Sequence, residues 1–201
     1  WSHECVRVLK PNRMFIVWGT LKTETFLRYK LQTTDNHSVL TPQNEIIWGY
    51  NWGGRAKTNF ARKHEYAWCW SKGKEFLFND AEIRVERKVK KNLRTGQDYT
   101  QGTIPTCIWE KNNHTTSKDY CGWHPTTKNL EVMERIVRAY TNPGDTVLDI
   151  FMGSGSTLRT ALANNRSFIG LDKNTGSYQT VIESLLSPKS DATHFCRNLK
   201  T

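Results

Sequence analysis

The stretch that most constrains this chain is the short apolar run Thr146-Val-Leu148 followed by Asp149-Ile-Phe-Met-Gly-Ser-Gly-Ser-Thr157. A strand that ends in a carboxylate and turns through Gly153, Ser154 and Gly155 into a helix builds a nucleotide-type cradle. The glycines let backbone approach a ligand closely, and the small hydroxyl residues are suited to capping the helix that follows. A second apolar run, Ser167-Phe-Ile-Gly-Leu171, ends in Asp172. That is where a Rossmann-type unit, about twenty residues beyond its glycines, places the carboxylate that accepts hydrogen bonds from ribose hydroxyls. A Gly-x-Gly turn alone says little. Set between two strands and a helix, it defines an architecture.

The rest of the chain alternates in the same way. Trp1-Ser-His-Glu-Cys-Val-Arg-Val-Leu9 reads as the end of an amphipathic helix, stopped by Pro11. Met14-Phe-Ile-Val-Trp18 is an apolar run of buried-strand length, and residues 22–31 suit a helix with Leu21, Phe26, Leu27 and Tyr29 as its apolar contacts. A loop is expected over 35–42, a strand over 45–48 and another over 64–70. Ser71-Lys-Gly-Lys74 then turns the chain so that Glu75-Phe-Leu-Phe78 returns as a hairpin partner. Asn129 is placed to cap a helix running to Tyr140, with Leu130, Met133, Ile136, Val137 and Tyr140 on one face. A last helix is expected over 178–186. Short apolar strands alternating with helices indicate an α/β fold with a mainly parallel sheet.

Charge narrows the function. The 201 residues carry 29 Lys and Arg against 19 Asp and Glu, a net charge of +10. A nucleic-acid binder uses such a charge for phosphate contacts and for encounter, whereas solubility alone needs less. Five cysteines, an odd number with no Cys-x-x-Cys pair, argue for a reducing compartment rather than a disulfide framework. Cys107, His114, Cys121 and His124 raise the question of zinc, but their spacing fits no usual finger, and no metal is expected. No apolar run approaches the ~20 residues of a membrane span, and no signal peptide is visible. The expected setting is therefore cytoplasmic in a prokaryote or virus, or nuclear in a eukaryote.

Taken in order, Trp1-x-x-Glu-Cys-x-Arg-Val-Leu-Lys-Pro11, Asn44-Glu-Ile-Ile-Trp48, a basic variable segment, His124-Pro-Thr126 with Lys128, and Phe151-Met-Gly-Ser-Gly155 resemble the DNA amino-methyltransferases. The arrangement is similar to that of the β class, in which the cofactor motif follows the target-recognition segment. The match runs from Trp1 to about residue 186, and the pairing of the His-Pro-Thr-x-Lys box with Phe-x-Gly-Ser-Gly is more specific than either part.

The resemblance implies a Rossmann-like S-adenosylmethionine-dependent methyltransferase fold, with helices on both faces of the sheet and a small basic inserted target-recognition segment. It implies that Phe151, Gly153, Ser154 and Gly155 form the loop against S-adenosylmethionine, with Ser156 and Thr157 opening the helix. Asp172 then binds the ribose hydroxyls, with Lys173 beside it near the adenine. His124, Pro125, Thr126 and Lys128 approach the methionine end, and Asp149 orients the loop or the amino group. The chain departs from the family pattern at Ile150, where Pro is usual, at Thr127-Lys128-Asn129, where Gln-Lys-Pro is usual, and at Asp172, where Glu is common. The family's Asp-Pro-Pro-Tyr or Ser-Pro-Pro-Tyr tetrapeptide, which grips the target amino group, is a larger departure. No Pro-Pro pair occurs in the 201 residues. With the non-Met start, the expectation is a chain lacking its amino-terminal part, and no catalytic residue is assigned.

The implied reaction is methyl transfer to adenine N6 in DNA after base extrusion, with cytosine N4 and a non-catalytic DNA-binding relative as alternatives. DNA, as a duplex with a flipped base or as a single strand, is the expected partner, and a homodimer is left open. Tyr50 and Trp52 are candidates for the rim of the base pocket. Arg55, Lys57, Arg62 and Lys63, with Arg87, Lys88, Lys90 and Lys91, are candidates for DNA contact. The expected divisions are a catalytic-side half over 1–79, the recognition segment over 80–120, a cofactor-binding half over 121–186 and a tail over 187–201.

Overall fold

The computed structural model describes residues 1–33, 40–51, 53–87, 89–111, 127–176, 179 and 181–182. The chain divides into two compact units, Trp1–Glu110 and Lys111–Thr201.

In the first unit, helix α1 (Ser2–Val8) is closed at its carboxyl end by Lys72, whose Nζ donates to the carbonyls of Val6 and Leu9, each at 2.7 Å. An ammonium is the favourable charge at that end of a helix dipole. Strand β1 (Met14–Gly19), helix α2 (Leu21–Thr33), strand β2 (Leu40–Gly49), strand β3 (His64–Lys72) and strand β4 (Ile108–Glu110) follow. The sheet order is β1-β3-β2-β4. Strand β3 lies antiparallel between β1 and β2, and β4 joins β2 in parallel. The register sets Phe15 opposite Trp70 and Val17 opposite Trp68. Those side chains meet Val6 of α1 and Leu27 and Leu31 of α2 in one apolar core.

Several expectations are corrected here. The sheet of the first unit is mixed rather than mainly parallel. A strand buried on both faces reads as a continuous apolar run whichever way it points, so Ala67-Trp-Cys-Trp70 carries no signal of direction. Strand β2 begins at Leu40, inside the expected loop. Its register slips between Pro42 and Asn44, where the missing N–H of Pro42 interrupts the ladder. Residues 75–78 form no strand, because β3 already has a partner on each edge. Phe26 and Tyr29 are 63% and 64% exposed, whereas Leu27 and Leu31, four apart on one face, are buried.

The basic segment is more ordered than its composition suggests. A single 3-10 turn, Asp80–Ile83, is followed by a hairpin in which Val85 and Thr103 exchange two backbone hydrogen bonds of 2.9 Å. The chain then returns to the sheet as β4, burying Trp109.

The second unit contains helix α3 (Leu130–Tyr140), strand β5 (Thr146–Asp149), helix α4 (Ser156–Ala163) and strand β6 (Ser167–Gly170). Asn129 caps α3 as expected, its Oδ1 accepting from Val132 N at 3.2 Å. Leu130, Met133, Ile136 and Val137 are buried, and Val132 and Ala139 widen the apolar face. Strands β5 and β6 pair in parallel through the α4 crossover. Helix α4 ends in a Schellman turn, with Asn165 at φ 61°, Arg166 N donating to Ala161 O and Asn165 N donating to Leu162 O. The Arg166 side chain, 6% exposed, donates to the carbonyls of Asn164 and Thr141 and to Thr141 Oγ1. One buried cation thereby serves the carboxyl ends of both α3 and α4. The expected helix over 178–186 lies mostly outside the described residues, of which Val181 is fully buried.

Candidate functional site

The glycine loop is built outward from the end of β5. Asp149 Oδ1 accepts from Phe151 N at 3.0 Å, turning the chain at once, while Asp149 O accepts from Leu171 N at 2.9 Å. Met152 N donates to Leu171 O at 3.0 Å, so the loop runs against the extension of β6. Gly153 N donates to Asp172 Oδ2 at 2.8 Å, and the other carboxylate oxygen accepts from Asn174 N at 2.8 Å. The acidic end of β6 and the glycine loop are therefore one hydrogen-bonded assembly.

Two loop glycines need a left-handed backbone, Gly153 at φ 48° and Gly155 at φ 74°. At Gly155 a Cβ would also come within 3.1 and 3.2 Å of the two Val181 methyls. Gly170 is fixed by space instead, since a Cβ there would run into the Phe168 ring and stand 2.6 Å from Met152 Sδ. The loop's small residues thus answer to backbone conformation and to close packing at once.

The hydroxyl residues do not cap α4. Gly155 is the N-cap and contributes no side chain, while Ser154 and Ser156 are buried with their Oγ atoms 3.1 Å apart. Ser156 Oγ also donates to Lys128 O at 3.2 Å, tying the loop to the residue ahead of α3. The left-handed turn at Gly155 gives the chain its entry into the helix without a side-chain cap. Thr157 is half-buried, Phe151 is 65% exposed, and Lys173 stands exposed beside Asp172. The second unit therefore brings together Lys128, Asp149, Phe151, Gly153, Ser154, Gly155, Ser156, Thr157, Asp172 and Lys173. His124, Pro125 and Thr126 lie outside the described residues.

In the first unit, Tyr50 stacks edge-on against Trp48 at 5.5 Å, and its N–H donates to Lys63 O at 2.9 Å. Burial, with the Glu65 carboxylate nearby, holds the Tyr50 hydroxyl above its usual pKa, partly opposed by Arg62. Lys63 Nζ donates to Gly53 O at 2.8 Å, closing the loop that runs back to β3. Arg55, Lys57 and Arg62 are exposed in that loop. In the hairpin, the Arg87 guanidinium lies 4.2 Å over the Tyr99 ring, Lys90 Nζ bonds Glu86 Oε1 at 2.6 Å, and Lys91 is exposed. Trp52 and Lys88 lie outside the described residues.

The sequence reading passed over two apolar residues. Phe60, in the 50–63 loop, is 98% exposed, and Leu93, at the hairpin tip, is 96% exposed. Their setting among cations was the available signal, since periodicity does not register a single apolar residue in a polar loop.

A parallel strand pair, a glycine loop at its carboxyl end and an acidic residue holding that loop define a Rossmann-like α/β protein. A family described as DNA methylase matches residues 1–183, and the chain belongs to that family. DNA adenine methyltransferase YhdJ of Escherichia coli (strain K12) is 30% identical over 181 residues, covering 86% of this chain and 60% of the relative. Type II methyltransferase M.HpaI of Haemophilus parainfluenzae is 32% identical over 176 residues, covering 87% of this chain and 54% of the relative. The chain thus spans little more than half the length of these curated relatives.

Among solved structures, the M1.HpyAVI–SAM complex superposes with a TM-score of 0.64 at 23% identity, covering 91% of this chain and 79% of the other. The PvuII DNA methyltransferase, described as cytosine-N4-specific, gives 0.73 at 16% identity, with coverages of 96% and 71%. Both share the fold.

Proposed function

We propose that the protein is an S-adenosylmethionine-dependent DNA methyltransferase acting on the exocyclic amino group of adenine. The observation that carries this reading is the Asp172 carboxylate holding Gly153 N–H at 2.8 Å, which joins the acidic strand end to the glycine loop. Membership of the DNA methylase family and the likeness to a relative named as a DNA adenine methyltransferase support it.

The residues fit the cofactor. The Asp172 carboxylate stands at the end of β6, beside the glycine loop that it holds through Gly153 N, where a Rossmann-type unit places the acid that binds a ribose diol. Phe151 offers an exposed ring, Lys173 stands beside the acid, and Gly153 and Gly155 bring no Cβ to their two positions in the loop. Asp149 orients the loop through Phe151 N. Ser154 and Ser156 act from within, by fixing the loop to Lys128 O, and Thr157 opens α4. His124, Pro125, Thr126 and Lys128 are assigned to the methionine end by resemblance. When bound, the sulfonium supplies an activated methyl group.

The exocyclic nitrogen is a weak nucleophile because its lone pair is delocalised into the ring, so the protein's work is to extrude the base and align that nitrogen. Arg55, Lys57 and Arg62, with Arg87, Lys90 and Lys91, supply the phosphate contacts that position the DNA. Lys63 and Tyr50 shape the loop that carries the first group, and Tyr50 is assigned to the rim of the base pocket.

The test is methyl transfer from labelled S-adenosylmethionine to unmethylated genomic DNA by the full-length protein, followed by digestion and separation of nucleosides. Label in N6-methyladenine is expected. Label in N4-methylcytosine would change the target base. No label with cofactor binding intact would make this a DNA-binding relative without activity, and loss of both would sink the reading of the glycine loop.

A further inference from the structure

The basic segment ends in a stapled finger whose tip is apolar. Its two arms are joined by backbone hydrogen bonds at Val85 and Thr103, from Tyr99 N to Lys90 O at 2.7 Å, and from Asn92 N to Gln97 O at 2.8 Å. At the turn, Asn92 Oδ1 accepts from Arg94 N at 3.0 Å and Thr95 N at 3.2 Å, and Gly96 takes a left-handed φ of 71°. Arg87 lies over Tyr99 across the arms, and Lys90 is held by Glu86. Leu93 stands at this tip, 96% exposed, with Lys90, Lys91 and Arg94 around it. Among the described residues, Lys91 and Arg94 enter no ion pair.

Single exposed apolar residues are common on protein surfaces and need no explanation by themselves. Leu93 differs in its placement. Turn tips favour Gly, Asn, Asp and Ser, and here Asn92 and Gly96 already perform the turning. A leucine adds no hydrogen bond to that turn and buries nothing in the folded chain. The cations beside it suit a polyanion, to which leucine contributes no phosphate contact. An apolar side chain presented rigidly between cations matches the wedges that enter between base steps and unstack them.

We infer that Leu93 is a wedge that enters the DNA stack during base extrusion, with Lys91 and Arg94 seated on the flanking phosphates. The assignment rests on the DNA methyltransferase reading above. Its function is mechanical. The finger approaches along the phosphates, Leu93 occupies the space between neighbouring bases, and the cost of opening the duplex is offset where the target base must leave it. On a single strand there is no duplex to open, so Leu93 has nothing to do there.

That asymmetry is the test. The full-length protein and its L93A and L93M variants are assayed for methyl transfer to native genomic DNA and to the same DNA heat-denatured. L93A is expected to lose about tenfold or more on the duplex and to stay within about twofold of the parent on denatured DNA, whereas L93M retains both. Equal activity of L93A and parent on the duplex overturns the wedge, as does an equal loss on both substrates. An L93A protein with unchanged duplex activity and altered self-association assigns the tip to a protein contact instead, and also overturns it. A parent protein inert on both DNAs overturns the methyltransferase reading itself, and the wedge with it.

Discussion

Asp172 shows how one side chain serves two layers of the design. Its oxygens fix the glycine loop through Gly153 N and the following turn through Asn174 N. Removing the carboxylate takes away the acceptor of both backbone N–H groups, and on the proposed reading a cofactor contact with them. Asp172→Ala is expected to weaken S-adenosylmethionine binding by about 1.5–3 kcal/mol, the scale of a lost hydrogen bond to a charged group. Asp172→Asn, which keeps one acceptor oxygen, is expected to lose less. Titration calorimetry on the two variants checks the order, and equal losses would mean that the charge rather than the acceptor geometry matters. The place of this residue at a strand end was legible in the sequence, because it follows an apolar run directly. Its bond to Gly153 was not, because nothing in the sequence says which loop amide folds back onto it.

At the scale of elements, the basic finger is held by paired charges whose protonation can be followed. The Arg84 side chain bonds Asp80 and holds its carboxyl below the usual range, and Lys90 does the same for Glu86. The backbone N–H of Thr100 lowers Asp98. A depressed carboxylate pKa gives stability that is present above the unfolded value and lost as pH falls through the folded one. Glu134 of α3 has the opposite sign, because burial raises its pKa and protonation relieves that penalty. Acidification into and below the ordinary carboxylate range is therefore expected to loosen the finger while leaving α3 intact. Amide exchange, corrected for intrinsic rates, should show Tyr99 and Gly102 losing protection before Val137 and Thr141. Loss in the reverse order would remove the charge pairs as the finger's support.

At the scale of the whole molecule, the chain combines a net charge of +10 with two units of different construction. The exposed cations Arg55, Lys57 and Arg62 make the electrostatic part separable from the chemistry. Arg62→Ala is expected to lower the slope of log affinity for duplex DNA against log salt by about 0.9, one released counterion, with cofactor affinity unchanged. Fluorescence anisotropy over a salt series measures it. An unchanged slope would take Arg62 off the phosphate backbone.

Among the described residues of the second unit, the sequence by itself determined the main elements and their order. Its signals are local: the Asn129 cap, the apolar face of α3, the glycine turn, and an acid one crossover later. The first unit was decided by tertiary pairing. Its apolar runs marked strands, but a strand buried on both faces carries no record of direction, so the antiparallel place of β3 emerged only from the assembled sheet. That placement left residues 75–78 without an edge to join. Leu93 and Phe60 were likewise invisible, because exposure belongs to the folded surface and no local pattern encodes it. Local backbone chemistry is written in neighbouring residues, whereas pairing and exposure depend on what the rest of the chain brings alongside.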